Sequence, residues 1–347
     1  MRELRYRLLR AISRIFESRI CDVASADGLI VVRTDRLGDL AVTVPALAEL
    51  KKGYPDKPIV LVAGPANVAL GQLVQRWGIV DEVVVGISAN YGPTYPQGTS
   101  VWEAMRPSLV GRTVVFFLTP DLLPVVRTRL LGKNVRVRVT TKVAKSLHER
   151  DVVAATLGVS LPSGTFTRSA PADRRVAITL NAHPLRSWGI QNWISLLDIF
   201  EQRAVQVLIV GDESTADKAE VLASRFPTFT DNFVGRTHLR DLPDLLGRCR
   251  CLIGTDSGLM HFGSVIGVPT ITLFGPSLPQ QWAPVGSSAS VLYQSRHCSP
   301  CTLKRCPYPD GRRCLDDISV QEVWERVGPL VDYPHAERNV SSLVDGG

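Results

Sequence analysis

The chain has 347 residues, 45% of them hydrophobic and 21% charged, with a formal net charge of +7. This length predicts two domains of ordinary size, and the composition is typical of a folded globular protein, which argues against a disordered chain. No apolar run reaches the ~20 residues that a membrane-spanning helix needs. The basic balance favours anionic partners such as nucleotides, phosphorylated lipids or nucleic acid, without choosing among them.

Residues 1–20 form a predicted amphipathic helix. The segment carries six arginines, and its apolar residues recur near helical spacing. It lacks the apolar h-region of a secretory signal, so we expect a cytoplasmic protein. The apolar side of this helix has two interpretations. It either lies in the interface of an anionic bilayer, which would place the protein at the inner face of the cytoplasmic membrane, or docks on the protein itself.

Strands and helices alternate over residues 21–165, the predicted N-terminal domain. The strands are short apolar runs at 28–33, 58–63, 82–85, 113–118 and 135–139. The helices are predicted at 40–52, 67–77, 100–107, 122–131 and 146–157. Continuous Val, Ile and Leu runs are typical of a parallel sheet that helices cover on both faces. The irregular loop 88–98 is expected to face a substrate.

Residues 162–174 are a predicted linker, because Pro, Gly, Ser, Thr and charged residues replace the periodic pattern. Alternation restarts over 175–335, the predicted C-terminal domain. Its strands are expected at 175–180, 205–210, 251–254 and 271–274, and its helices at 193–203, 214–225, 239–248, 259–266 and 320–331. The predicted fold class is therefore α/β, with two Rossmann-like doubly wound parallel-sheet domains that face a central cleft.

The segment 255–261 carries the most chemistry. Asp256, Ser257 and Gly258 form a turn able to cap the helix that follows. A helix N-terminus that opens after a strand offers free N–H groups and a positive dipole end, so it suits a phosphate. His261 lies one turn further on. The alternative is that His261 is a core histidine, satisfied within the protein, that binds no ligand.

Three more segments lie at crevice ends of predicted strands. Asp39 follows the first strand, where a carboxylate either deprotonates a hydroxyl or caps a helix from residue 40. Arg186 follows the strand at 175–180, where a fixed cation either stabilises negative charge on a ligand or lies in solvent. Gly211 and Asp212 end the next strand and are weaker candidates for binding the hydroxyl groups of a ligand. The first strand lacks the glycine-rich dinucleotide fingerprint, and the chain lacks a Gly-Lys-Ser/Thr phosphate loop, which argues against a dehydrogenase and an NTP hydrolase.

Together these segments resemble the motifs of glycosyltransferase family 9, the ADP-heptose:lipopolysaccharide heptosyltransferases. The matching segments, in family order, are Arg33-Thr34-Asp35-Arg36-Leu37-Gly38-Asp39, Arg186-Ser187-Trp188 with Trp193, Thr255-Asp256-Ser257-Gly258-Leu259-Met260-His261, and Phe274-Gly275-Pro276-Ser277-Leu278-Pro279. The resemblance implies a GT-B architecture. It also implies an inverting transfer of heptose from ADP-heptose to a lipopolysaccharide core or related acceptor. A related transferase with another nucleotide sugar or acceptor remains open.

The resemblance also implies roles for individual residues. Asp39 would be the general base, with Asp35 as the rival carboxylate, and Arg186 would lie near the donor pyrophosphate. The acceptor side would include Gly38, Asp35 and Arg36. The donor side would include Asp256, Ser257, Gly258 and His261, joined by Gly211 and Asp212. No cofactor would be required for catalysis.

Four of the seven cysteines cluster at 298–314 with the spacing C-x2-C-x4-C-x7-C: Cys298, Cys301, Cys306 and Cys314. In a cytoplasmic protein this spacing favours a structural zinc or iron site over disulfides. Four free thiols are the alternative. A knuckle that binds nucleic acid through the surrounding basic residues is the hypothesis from another class of protein. One crevice motif in each domain favours the enzyme.

Overall fold

Two parallel sheets with flanking helices make up the computed structural model. It describes residues 23–88, 98–119, 122–131, 134–140, 147–161, 173–286, 288–301, 303, 306 and 313–332. The predicted helix at 1–20 lies outside these residues, as do most of the loop 88–98 and most of the linker 162–174. Within the described part, no helix is both long enough and apolar enough to cross a bilayer.

The first sheet has the strand order β3-β2-β1-β4-β5, and its paired strands are all parallel. Its strands are β1 (Gly28–Arg33), β2 (Ile59–Ala63), β3 (Glu82–Val85), β4 (Thr113–Phe117) and β5 (Val135–Val139). The helices of this half are α1 (Leu37–Gly53), α2 (Val68–Arg76), α3 (Val101–Met105), α4 (Leu122–Leu131) and α5 (Glu149–Leu157). Strands β1, β2 and β4 are buried along their whole length, as their continuous apolar sequences predict.

The second sheet has the order β11-β10-β9-β6-β7-β8, again with parallel pairs. Its strands are β6 (Arg175–Thr179), β7 (Gln206–Val210), β8 (Thr230–Asn232), β9 (Leu252–Thr255), β10 (Thr270–Phe274) and β11 (Ala289–Tyr293). Its helices are α6 (Ile190–Gln202), α7 (Ala216–Arg225), α8 (Leu242–Gly247), α9 (Gly258–Val265), α10 (Pro279–Trp282), α11 (Arg313–Asp316) and α12 (Val320–Val331).

Both sheets confirm the predicted doubly wound pattern. In each sheet the strand that comes first in sequence lies inside, with the second and third strands on one side of it and the later ones on the other. The order therefore reverses beside β1 in the first sheet and beside β6 in the second. Ligands of such sheets bind outside the carboxyl ends of the strands at this reversal, which is where the segments after β1, β6 and β9 begin.

Two differences from the predicted elements are local. Helix α1 begins at Leu37, three residues before the predicted start, and α5 begins at Glu149 instead of residue 146. The edge strands β8 and β11 were not predicted, because one is short and polar and the other is mostly half-buried.

The two halves are joined by apolar packing. A continuous cluster of buried side chains runs from the first sheet through Leu40 and Leu47 of α1 to Met260 and Phe262 of α9 and on to the second sheet. At the N-terminal ends of these two helices glycines meet. A Cβ on Gly38 would lie 3.3 Å from the Cα of Gly258, and a Cβ on Gly258 would lie 3.2 Å from the backbone nitrogen of Gly38. A side chain at either position would be tight, because its neighbours would have to move by a few tenths of an ångström.

Candidate active site

A cleft of about 540 Å³ opens between the carboxyl ends of the two sheets. Both halves of the molecule line it. Four predicted site residues face this cleft. Asp39 comes from the first half, and Arg186, Asp256 and His261 come from the second. The other predicted residues that line it are Arg36, Gly38, Gly211, Asp212, Ser257 and Gly258. Asp35 is not among the lining residues.

Asp39 lies in the first turn of α1. Its Oδ2 accepts a hydrogen bond from the backbone nitrogen of Arg36 at 3.2 Å. The prediction that Asp39 is the N-cap of a helix from residue 40 is therefore wrong, since Arg36 occupies that position and Asp39 is the third helical residue. A carboxylate at this position reaches back to the free N–H at the helix start and also complements the dipole. One Asp39 oxygen is thus held by the backbone at the start of its own helix.

The second Asp39 oxygen faces a buried arginine that sequence reasoning did not single out. Arg33 ends β1, and its side chain is 1% exposed. Its Nη2 lies 3.4 Å from Asp39 Oδ1 and 3.1 Å from Glu149 Oε1, and its Nε lies 3.1 Å from Asp35 Oδ1. Its Nη1 donates to the carbonyl of Leu118 at 3.3 Å. Three carboxylates therefore surround one guanidinium.

The rival carboxylate, Asp35, is held in a different environment. Burial, together with the charge of Asp39, raises the pKa of Asp35 to about 7, against the effect of Arg33. Asp35 thus retains its proton into the neutral range. Asp39 lines the cleft, whereas Asp35 does not.

Arg186 and Asp256 form the opposite wall. Arg186 ends the short 3-10 helix Pro184–Arg186 after β6, and its Nη1 lies 3.4 Å from Asp256 Oδ2. Ser277 donates a hydrogen bond to the same carboxylate, and His261 Nε2 lies 3.7 Å from Oδ1. Burial opposes ionisation of Asp256, but His261, Ser277 and Arg186 outweigh it and lower its pKa. Asp256 is therefore an anion that holds Arg186 and His261 in place.

The start of α9 carries polar atoms without a protein partner. Ser257 is the N-cap residue, yet its side chain makes no capping hydrogen bond. In the described part of the chain, Ser257 Oγ and His261 Nδ1 are buried and have no hydrogen-bond partner. Buried polar groups of this kind are rare and call for a ligand or water. They lie at a helix N-terminus, which suits an anion.

Asp212 lies in the same cleft at the end of β7. Its Oδ1 accepts a hydrogen bond from the backbone nitrogen of Ser214 at 2.9 Å, which caps the short helix Glu213–Thr215.

The cleft-lining residues that sequence reasoning did not rank as site residues include Ser214, Thr215, Ser277 and Trp282. Of these, Ser277 and Trp282 fall within or just after the matched 274–279 segment, so their position in the sequence carried a signal.

The four clustered cysteines lie near one another. Burial raises the pKa of the Cys314 thiol, and so do the nearby thiols of Cys306, Cys298 and Cys301. All four are free. Among the described residues, however, no group of three or more His, Cys, Asp or Glu side chains is arranged to hold a metal ion. The described residues thus show neighbouring thiols and not the assembled tetrahedral ligand set that the spacing predicts. The basic residues Lys304, Arg305 and Arg312 lie outside the described residues.

Two doubly wound domains on either side of a shared cleft define the GT-B class of folds. The model of glycosyltransferase family 9 (heptosyltransferase) matches residues 141–310. The predicted resemblance to this family is therefore confirmed.

Curated relatives agree with this assignment. Lipooligosaccharide heptosyltransferase 2 of Haemophilus influenzae is 26% identical over 113 residues, which cover 31% of this chain and 33% of the relative. The match thus spans about a third of that protein. Lipopolysaccharide heptosyltransferase 3 of Escherichia coli is 22% identical over 344 residues, which cover 87% of this chain and 98% of the relative.

Solved structures share the fold. A glycosyl transferase of family 9 from Veillonella parvula superposes with a TM-score of 0.69 at 21% identity, covering 88% of this chain and 97% of that one. The E. coli ADP-heptose lps heptosyltransferase II gives a TM-score of 0.67 at 17% identity, covering 88% and 98%. At these identities the comparison establishes the fold, and the predicted GT-B architecture is confirmed.

Proposed function

We propose that this protein is an inverting glycosyltransferase that moves a heptose from ADP-heptose to a lipopolysaccharide core or related glycan. One observation carries the proposal. Asp39 from one half and the Arg186–Asp256–His261 group from the other line the same cleft. The family assignment and the name of the E. coli ADP-heptose heptosyltransferase support the choice of donor. We assign residues 21–165 to the acceptor side and 175–335 to the donor side.

The reaction needs one base and one stabiliser of the leaving group. Asp39 accepts the proton of the acceptor hydroxyl as its oxygen bonds to the anomeric carbon of the donor. The bond from that carbon to the diphosphate breaks on the opposite face, so the configuration inverts and ADP leaves with the electron pair. Arg186 and the N–H groups at the start of α9 stabilise the charge on ADP. Gly38, Asp35 and Arg36 shape the acceptor side around Asp39.

Titration calorimetry with ADP, UDP and GDP, followed by a transfer assay with ADP-heptose, tests this proposal. We expect ADP to bind at least tenfold more tightly than the other two. Transfer should persist in EDTA, because protein groups supply the positive charge. Preference for another nucleotide would identify a related transferase with a different donor. If no nucleoside diphosphate binds, or if transfer requires added magnesium, the proposed mechanism is wrong.

The cysteine cluster gives a second test. We propose that Cys298, Cys301, Cys306 and Cys314 bind one structural zinc or iron ion, with catalysis independent of it. Cys301→Ser should then remove about one metal ion per chain and lower Tm, because metal binding is coupled to folding. Elemental analysis and calorimetric melting measure both. Cys251→Ser, at a buried cysteine outside the cluster, is the control for metal content. A metal-free wild type whose Tm equals that of Cys301→Ser would show that these residues are only thiols.

We also propose that residues 1–20 place the protein at the inner face of the cytoplasmic membrane. Arginines near an anionic surface each contribute about 1 kcal/mol of attraction. Burial of the apolar side of the helix in the bilayer interface strengthens the binding further. A protein without residues 1–20 should stay folded, lose binding to anionic vesicles and keep activity on a soluble acceptor fragment. Co-sedimentation and circular dichroism check this. Unchanged vesicle binding, or loss of folding, would contradict the membrane role.

A further inference from the structure

The start of α5 bridges the two halves of the molecule. His148 is the N-cap of this helix, and its Nδ1 accepts a hydrogen bond from the backbone nitrogen of Arg150 at 3.1 Å. Because Nδ1 is an acceptor, the ring proton lies on Nε2, which donates to the carbonyl of Ala283 at 2.9 Å. Burial lowers the pKa of His148, which favours this neutral form. One imidazole therefore links a helix of the first half to a loop of the second.

That loop belongs to the donor side of the cleft. Ala283 directly follows α10, whose last residue, Trp282, lines the cleft. The hydrogen bond from His148 thus fixes the backbone next to a wall of the donor site. Any shift of this wall moves the start of α5, because the cap and the bridge share a single ring.

The next residue, Glu149, acts on Asp39 through Arg33. Glu149 Oε1 lies 3.1 Å from Arg33 Nη2, and the same Nη2 lies 3.4 Å from Asp39 Oδ1. Glu149 and Asp39 therefore share the positive charge of one nitrogen, and Glu149 is the nearer. Arg33 is thus not held by Asp39 alone, and the position of Glu149 affects how closely the guanidinium approaches the Asp39 carboxylate.

We propose that His148 and Glu149 are positioning residues that tie the orientation and the electrostatic environment of Asp39 to the donor-side wall. The inference rests on the proposed function, because it assigns Asp39 the role of base. His148 holds the helix start against Ala283, and Glu149, one residue further, sets how closely Arg33 pairs with Asp39. Neither side chain is required to touch a substrate.

Several charged groups surround Asp39. On its own half these are Arg33 at the end of β1, Asp35 in the following turn and Glu149 at the start of α5. Across the cleft are Arg186, Asp256 and His261. Glu149 contacts Arg33, but it neither lines the cleft nor lies near Asp39 in the sequence. A substitution of Glu149 therefore tests the link between Arg33 and Asp39.

Glu149→Gln keeps the size of the side chain and removes its charge. We expect kcat to fall about tenfold, less than the roughly 10²–10⁴-fold that a general base contributes, with the Kd for ADP unchanged within twofold. The acid limb of kcat/KM should move to lower pH, because one negative charge near Asp39 is gone. Asp151→Asn is the matched control. It removes a charge from the same helix turn, but Asp151 pairs with Arg150 at the surface, so kcat and the acid limb should stay at their wild-type values. A wild-type acid limb in Glu149→Gln would overturn the inference.

His148→Asn tests the bridge separately. Asparagine is a good N-cap, but it is too short to reach Ala283. We expect the helix to be retained by circular dichroism and kcat to fall severalfold, with a smaller effect in a protein that already carries Glu149→Gln. Independent, multiplicative effects of the two changes on kcat would overturn the proposed link.

The two proposals fail in different ways. If the wild type neither binds ADP nor transfers sugar, the proposed function fails, and the coupling is then measured through Tm. In that case the Tm shifts of Glu149→Gln and Asp39→Asn should not sum to the shift of the double variant, because both residues contact one nitrogen. Additive shifts would contradict the coupling. If the wild type is active and Glu149→Gln behaves like it, only the positioning role fails.

Discussion

Asp39→Asn should lower turnover by roughly 10²–10⁴-fold, the contribution expected of a general base. An asparagine side-chain oxygen can still accept the hydrogen bond from the backbone of Arg36 that now holds Asp39, so α1 should keep its start. It cannot take the proton of an attacking hydroxyl. Steady-state kinetics with saturating donor would measure the loss, and ADP titration should show little change in Kd.

Asp35→Asn is the comparison for this result. Asp35 contacts the same arginine but does not line the cleft, so its replacement should reduce turnover much less. Turnover of Asp39→Asn within a few-fold of the wild type would remove Asp39 as the base. Equal losses in both variants would point to disruption of the Arg33 cluster as a whole.

Arg186→Ala should weaken ADP binding by about 1.5–3 kcal/mol, the range for a hydrogen bond to a charged group. Two effects add, because the diphosphate loses a cation and the negative charge of Asp256 loses a partner that neutralises it. His261→Ala should impair turnover as well. Calorimetric titration of ADP measures the first effect and initial rates measure the second.

Arg240→Ala is a matched control for Arg186→Ala. Arg240 belongs to the same half and pairs with Asp241 at the surface, with 64% of its side chain exposed. It is not a cleft-lining residue, so ADP binding should stay within twofold of the wild type. If the two variants weaken ADP binding equally, the effect is one of net charge and Arg186 is not a specific contact.

The runs that became β1, β3 and β5 were predicted with their observed bounds. Strand β1 is buried along its whole length, as its continuous apolar sequence predicts. The edge strands β3 and β5 are only partly buried, and their valines favour a strand. The polar edge strand β8 gave no such pattern. It forms through backbone pairing with β7, and backbone hydrogen bonds leave little trace in side-chain composition.

The candidate site was predictable as separate segments and not as a network. Asp39, Arg186, Asp256 and His261 each follow a strand, so the rule for crevice ends finds them. Arg33 also ends a strand and begins the first matched segment, but neither fact indicates what its side chain contacts. Its contact with Glu149 spans 116 positions in the chain, and no local period encodes a pairing at that range. His148 was predicted inside a helix, so its capping and bridging role was not foreseen.

The apolar packing between α1 and α9 has a consequence for how the molecule unfolds. Separate domains commonly melt one after the other when their interface is small and polar. Here the buried cluster is common to both halves, and the contact of Gly38 with Gly258 leaves no layer of solvent at one end of it. Unfolding either half would expose the inner faces of both helices to water. Heat should therefore melt the two halves together, in one cooperative transition. Either half produced alone would expose an apolar surface and tend to aggregate.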